Sequence, residues 1–194
     1  MMVRSKFLLI CFAFSADDGM LIIWNLEDGS EEQTISVAFN GPVTSAAWIS
    51  VSQGTPNQAF AFGTADGNLF VYAYRTVCCI IQSAGYLLMI TQNYYDFAFS
   101  AVAHNGVIKD IAFDAFHKRL ATAGNGCTKV WEINEKCKSP FSPPIVSPAY
   151  LGPVVAWNSV TTPPKSSISR CVSFLDEGRD ILVGYLDSHE VYAP

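Results

Sequence analysis

The strongest constraint on this chain is that it resembles itself. Residues 12–24 align on residues 60–72 without a gap, and Phe12/Phe60, Ala13/Ala61, Phe14/Phe62, Asp18/Asp66, Gly19/Gly67 and Leu21/Leu69 are identities. Trp24 and Tyr72 are both aromatic at the closing position. A second ungapped pairing sets residues 107–113 on residues 168–174, and the same register carries Leu120 onto Ile181, Val130 onto Val191 and Trp131 onto Tyr192. Asp66-Gly67 corresponds to Asn125-Gly126 and joins the two pairs, while residues 42–48 fall on residues 107–113 after one slip in the preceding loop. Such a pattern calls for stacked copies of one small unit, because a unit of that size cannot bury its apolar faces alone.

Each copy reads as strands. The runs are short, rich in Val, Ile, Phe, Tyr and Trp, and bounded by Gly, Asp, Asn and Pro. Asp18-Gly19, Asp66-Gly67 and Asn125-Gly126 are pairs that tolerate positive φ, so each is expected to close a tight hairpin. One antiparallel sheet per copy follows, and radial stacking covers the faces that a lone sheet leaves open.

The order of the motifs resembles that of the WD40 repeat. Ala103-His104-Asn105-Gly106-Val107 stands where the family has a Gly-His turn before an apolar strand. Residues 120–126 match its second strand and Asp-Gly turn, and residues 128–132, with Val130-Trp131-Glu132, match the strand that closes on Trp-Asp. Trp24-Asn25 is a further variant of that close. The resemblance implies an all-β fold: β-propeller blades of four-stranded antiparallel sheets, incomplete at about three to four blades against about 4–8 in a closed ring. It divides one incomplete propeller domain, 1–194, into a partial blade at 7–39, a blade at 40–101 with an apolar insertion at 77–97, a blade at 103–160 with a Pro-rich loop at 138–148, and a partial blade at 167–194.

In the family a His, a Ser or Thr, an Asp and the Trp often form a buried hydrogen-bonded set. The positions matched here are Asp18, Trp24, Thr64, Asp66, Tyr72, His104, Asn125 and Trp131, and no repeat carries all four types. The second copy has Thr64 and Asp66 but Tyr72 for Trp and Asn40-Gly41 for Gly-His; the third has His104 and Trp131 but Asn125 for Asp and Ala123 for the hydroxyl. Weaker side-chain bracing than in a regular repeat is expected.

The repeat also decides how the start of the chain reads. Residues 1–15 look like a signal peptide, with Arg4 and Lys6 before an apolar stretch and Ala13-Phe14-Ser15 as a cleavage site. Cleavage there would remove the segment that matches residues 60–63, so a blade strand explains both the apolar run and the match. The six cysteines include no C-x-x-C pair, adjacent Cys78 and Cys79 suit no mutual bridge, and no Asn-x-Ser/Thr signal occurs. An intracellular setting, cytoplasmic or nuclear, is the expectation. A net charge of −5, with no Lys/Arg cluster beyond Lys136-Cys137-Lys138, points away from nucleic acid.

At 194 residues the chain is shorter than about seven repeats of about 40–45 residues would need. A fragment of a longer product, a truncated gene and an assembly of several chains all satisfy that arithmetic, and open blade edges invite self-association. Two spacers are long. Residues 75–101 contain the nearly uncharged run 77–90, which reads either as an outer strand plus an extra hairpin or as sequence foreign to the propeller, such as a retained intron. That run is too short and too interrupted for a membrane span. Residues 134–167 hold seven prolines and read as an extended loop, with residues 150–157 available as an outer strand.

No catalytic constellation is present in the sequence: no G-x-S-x-G elbow and no G-x-x-x-x-G-K loop. Gly63, Gly67, Gly124 and Gly126 fall at hairpin ends, and His104, His117 and His189 lack metal-ligand spacing, so no cofactor and no metal are expected. His117 is expected in a solvated loop, and residues 176–180 in a solvated turn. The resemblance implies a non-enzymatic scaffold for other proteins or peptides. Its binding rim would carry the turns before inner strands, with Phe39, Asn40, His104 and Asn105, and the turns between middle strands, with Asp17, Asp18, Asp66 and Asn125; Phe39 is the candidate apolar anchor. The alternatives are a truncated or mis-spliced copy without activity of its own, and a secreted carbohydrate-binding or hydrolytic propeller.

Overall fold

The computed structural model describes residues 10–14, 18–25, 27–50, 59–83, 86–125, 127–134, 150–152, 168–186 and 191–192. The fold is all β. Among the described residues, fourteen strands form four antiparallel sheets in chain order. The first sheet holds β1 (Ile10–Phe14), β2 (Met20–Asn25) and β3 (Glu31–Ser36). The second holds β4 (Val43–Ile49), β5 (Ala59–Thr64), β6 (Asn68–Ser83) and β7 (Tyr86–Val102). The third holds β8 (Asp110–Asp114), β9 (Arg119–Gly124), β10 (Cys127–Asn134) and β11 (Tyr150–Gly152). The fourth holds β12 (Ser169–Leu175), β13 (Asp180–Tyr185) and β14 (Val191–Tyr192). The apolar run at the start of the chain thus contributes a strand, with Cys11 opposite Trp24. Residues 153–157 of the anticipated outer strand lie outside the described residues.

Burial shows why the sheets stack. β2 and β13 alternate between buried and half-buried residues, as strands at the ends of a stack do, whereas all six residues of β5 are buried. In β5 the large side chains face one way and the small ones the other. Phe60 and Phe62 pack with Leu21, Ile23 and Ile35 of the first sheet. Ala59 and Ala61 pack with Ile108, just ahead of β8, and with Ile111 and Trp131 of the third. Strand β9 repeats the device: Leu120 joins the second sheet, and Ala121 and Ala123 meet Val172, Ile181 and Val183 of the fourth. The small faces let the next sheet come close. A methyl group added at Gly63 would sit 2.6 Å from Ile108 Cγ2.

The aromatic side of β5 is a stack. Phe60 lies parallel to Tyr72 at 5.6 Å, and Phe62 to Phe70 at 5.2 Å. Trp48 meets Phe60 edge-on at 5.6 Å. Such pairs add about 0.5–1.5 kcal/mol each beyond the area they bury.

Polar links cross each sheet boundary. Gln33 of β3 clasps a peptide of β7: Nε2 donates to Tyr95 O at 2.8 Å and Oε1 accepts from Tyr95 N at 2.7 Å. Thr44 of β4 donates to Ile108 O at 2.6 Å. Asp110 of β8 accepts from Val172 N at 2.9 Å, and Ser169 Oγ donates to Gly124 O at 2.5 Å. Strands β4, β8 and β12 are successive neighbours on the inner side, and β3, β7 and β11 on the outer side.

The apolar spacer does not form a separate hairpin beside an outer strand. β6 and β7 run on as one continuous pair from Asn68↔Val102 to Ser83↔Tyr86, with one bulge after Val71. β5 accompanies β6 only as far as Ala73.

Candidate interaction rim and the braces beneath it

The turns before the inner strands and the turns between the middle strands come together on one rim. Ala38–Asn40 form a short 3-10 turn ahead of β4. A methyl on Gly19, in the β1–β2 turn, would lie 2.9 Å from Ala38 Cα. One on Gly41 would lie 3.3 Å from the Asp66 carboxylate in the β5–β6 turn. Asn68 Nδ2 donates to Asn40 Oδ1 at 3.3 Å. The pattern continues one sheet further: Ala103 N and His104 N both donate to Gly67 O, at 2.8 and 3.1 Å. Gly67 has φ of 85°, and a side chain there would run into the His104 carbonyl, so this junction requires glycine. Asn125 packs over Gly106 at 3.2 Å from where a Cβ would stand.

Of the anticipated rim residues, Phe39 is fully exposed, at 101%. Asn105, Asp18, Asp66 and Asn125 are also exposed, and Asn40 is half-buried. Asp18 accepts from Met20 N at 3.0 Å, which shapes the first turn. Asp17 lies outside the described residues. Two exposed apolar residues on this rim went unanticipated: Val102, paired with Asn68 at the end of β7, and Leu186, whose N–H bonds Ile168 O. Both sit at strand ends, where sequence alone cannot separate a last core residue from a first exposed one.

His104 is the exception on the rim: it is buried. Its Nε2 lies 2.9 Å from Thr122 Oγ1, and Trp131 Nε1 donates to the same oxygen at 3.1 Å. Its Nδ1 lies 3.2 Å from Cys127 Sγ. With the indole N–H on one lone pair of Thr122, the arrangement that leaves no proton unused has the hydroxyl donating to Nε2 and the ring proton on Nδ1, facing sulfur. Burial drives the His104 pKa down to about 4; the Lys129 charge lowers it further, and hydrogen bonding to Thr122 opposes both. The imidazole is therefore neutral at pH 7.

This brace corrects the sequence alignment. The hydroxyl belongs to Thr122 and not to position 123. Trp131 stands opposite Leu120 and Tyr72 opposite Phe60, so Thr122 corresponds to Phe62, and Thr64 corresponds to Gly124. The β9–β10 turn is one residue shorter than the β5–β6 turn, and counting outward from the turn shifts the match by one. Thr64 instead holds its own turn, its Oγ1 at 3.3 Å from Asn68 N. In the first sheet the matching position is Ala13, and Trp24 Nε1 is buried without a partner among the described residues. The fourth position is also reassigned: Cys127, not Asn125, faces the histidine. Asn25, after Trp24, is buried and orders the β2–β3 turn through Glu27 N at 2.9 Å and Glu32 at 3.1 Å.

On the opposite rim, His117 is not simply solvated. Asp114, buried, accepts from His117 Nδ1 at 2.9 Å, from Phe116 N at 2.9 Å and from Arg119 NH2 at 3.0 Å. Burial pushes the Asp114 pKa up, but the hydrogen bonds it accepts, that from the His117 backbone N–H at 3.2 Å foremost, outweigh it and leave the pKa lowered. Arg119 also donates to Gly178 O in the β12–β13 turn and lies over the Phe174 ring at 5.6 Å. That turn is accordingly docked at Gly178, which is buried, although Asp176 and Arg179 pair in solvent at 3.5 Å. His189 lies outside the described residues. Among the described residues no helix is long and apolar enough to cross a membrane.

Antiparallel sheets stacked through β4, β8 and β12, with a His–Thr–Trp brace in the third, define blades of the WD40 propeller type. Solved structures agree. The crystal structure of RRP9 WD40 repeats superposes with a TM-score of 0.58 at 12% identity, over 94% of this chain and 46% of that one. The structure of U3-55K does so with a TM-score of 0.55 at 11% identity, over 96% of this chain and 51% of that one. The chain thus has a WD40 β-propeller-like fold and spans about half the length of the propellers it matches. No family model and no curated protein matches the sequence.

Proposed function

We propose that this chain is a non-enzymatic scaffold that binds other proteins or peptides through the rim of Phe39, Asn40, Asp17, His104 and Asn105, with Asp66 and Asn125 alongside. One observation carries the reading: the fully exposed Phe39 stands on a rim built by closely packed turns from successive sheets. An aromatic side chain presented fully to solvent is a ready anchor for a partner. Within this reading His104 acts from below, as the brace that sets the loop carrying Asn105. Val102 and Leu186 extend the apolar content of the same rim. The chain works inside the cell, does not take nucleic acid as its main partner, and forms one propeller domain with the divisions given above.

The test is affinity capture with quantitative mass spectrometry from the native source, comparing the unaltered chain, a Phe39→Ala/Asn105→Ala variant and a Phe116→Ala variant on the opposite rim. Partners lost only with the first variant support the reading. Partners retained by it, or lost equally with Phe116→Ala, overturn it.

A second reading is that these blades act only within a larger ring. The coverage of 46% and 51% of the matched propellers favours it. An immunoblot with intact and native mass from the native source decides: a product well above 21.2 kDa, or an assembly of several copies, supports the larger ring, and a monomer of 21.2 kDa removes it.

A further inference from the structure

The alignment of residues 42–48, 107–113 and 168–174 puts Thr44, Lys109 and Arg170 at one position of the repeat. Each interrupts the pairing of its inner strand at the rim end. The register of β4 on β5 passes from Val43↔Thr64 to Ser45↔Gly63 and leaves Thr44 out. That of β12 on β13 passes from Ser169↔Tyr185 to Cys171↔Gly184 and leaves out Arg170. In the third sheet Lys109 N donates to Ala123 O at 2.8 Å, although Asp110 already stands opposite Ala123. An extra residue of this kind is a β-bulge, and bulges re-aim side chains out of the regular ladder. Thr44, Lys109 and Arg170 are all exposed.

The three positions differ in charge. Thr44 uses its hydroxyl on Ile108 O at 2.6 Å, across the sheet boundary. Lys109 and Arg170 make no ion pair among the described residues. Their strands are close neighbours, because the Asp110 carboxylate reaches from one to accept Val172 N of the other at 2.9 Å. Its second oxygen accepts Ile111 N at 2.9 Å, so both oxygens of Asp110 are engaged by backbone. Lys129, half-buried in the same blade as Lys109, is a further cation without an ion pair among the described residues, near enough to His104 to lower its pKa. The exposed acids of the rim, Asp18 and Asp66, stand in the turns of the first and second sheets. The rim therefore changes sign along its length, acidic over the first two sheets and basic over the last two.

We propose that Lys109 and Arg170 receive an acidic segment of a partner protein, with its Asp or Glu side chains over the third and fourth sheets and its apolar side chains towards Phe39. This rests on the reading of the rim as a binding surface and adds the chemistry of what it binds. Two bulges hold the cations on adjacent strands, and no acid of the chain neutralises them, so a partner's carboxylates meet unspent charge. The Arg170 guanidinium can take a carboxylate through two parallel hydrogen bonds, and Lys109 supplies a second point charge. Complementary charge of this kind steers encounter and fixes register. A basic segment is repelled here, and a nucleic acid would require a longer track of cations.

Selection of a displayed random peptide library on the intact chain, followed by fluorescence anisotropy with a labelled enriched peptide, tests this. Enrichment of Asp and Glu is expected. Lys109→Glu/Arg170→Glu is expected to weaken the peptide at least tenfold with an unchanged circular dichroism spectrum. Lys109→Gln/Arg170→Gln, which adds no charge, is expected to weaken it in the same direction, and Arg179→Glu on the opposite rim to leave it unchanged. Enriched peptides without an acidic bias overturn the proposal. So does binding indifferent to both double variants, an equal loss with Arg179→Glu, or tighter binding of a labelled single-stranded oligonucleotide at the same residues. Phe39→Ala separates the two readings. If it has no effect while the double variants do, the Phe39 anchor fails and this site stands; if it abolishes binding of peptides that carry no acidic bias, this site fails and the rim stands.

Discussion

Replacing Thr122 by valine keeps the shape of the β9 interior and removes only the oxygen that His104 and Trp131 share. Thr122 and His104 are buried, at 0% and 2% exposure, so water cannot take over. Each orphaned buried group costs about 1–3 kcal/mol, and the mutation relieves the burial of one hydroxyl, so a net loss of about 2–4 kcal/mol is expected. For a chain of this size that is a fall in Tm of roughly 5–12 °C. The assay is urea unfolding followed by circular dichroism and tryptophan fluorescence, read as a shift in midpoint at constant slope. The structure supplies its own control. Thr128 Oγ1 is also buried but has no hydrogen-bond partner among the described residues, so Thr128→Val is expected to be neutral or mildly stabilising. If the two variants differ by less than about 0.5 kcal/mol, the brace contributes nothing and the reasoning fails.

Three further outcomes follow from the same geometry. The folded-state pKa of His104, about 4, lies below the ordinary 6.5, so its contribution is complete above pH 6.5 and is lost as pH falls from there towards 4. The loss is roughly 3–3.5 kcal/mol, and a His104→Gln chain should lack that part of the slope in urea titrations at several pH values. Asp114 has a lowered pKa, so its contribution holds above the ordinary carboxylate range and disappears as pH falls through its folded value; Asp114→Asn should flatten the acid limb below pH 4. Gly178→Ala places a methyl against the Asp114 carboxylate at φ of 84°, and should destabilise by more than about 2 kcal/mol in thermal unfolding, whereas Phe39→Ala should change stability by less than about 0.5 kcal/mol.

Much of the fold was legible because its signals are local. The turn pairs Asp18-Gly19 and Asp66-Gly67 and the alternating apolar runs specify hairpins without reference to the rest of the chain. That the turns before inner strands and those between middle strands share one end of the sheets follows from strand order once the hairpins are placed. The brace was legible only in part. His104 and Trp131 stand beside recognisable turns, but Thr122 is identified by its register against Trp131, and a turn shorter by one residue hides that register from alignment. Cys127 was invisible because a thiol carries no sequence signature for the task a carboxylate performs elsewhere. The Asp114 cluster escaped for a different reason: His117, Arg119 and Gly178 come from two sheets, and only stacking brings them to one carboxylate.

Hydrogen exchange with mass spectrometry on the intact chain tests the central claim, that successive blades stack through their middle strands. Strands β5 and β9 are buried on both sides, so their amides should exchange slowest and at a common rate, far slower than those of the turn at Ala38–Asn40. Exchange in β5 and β9 as fast as in that turn would contradict the stacked-blade fold.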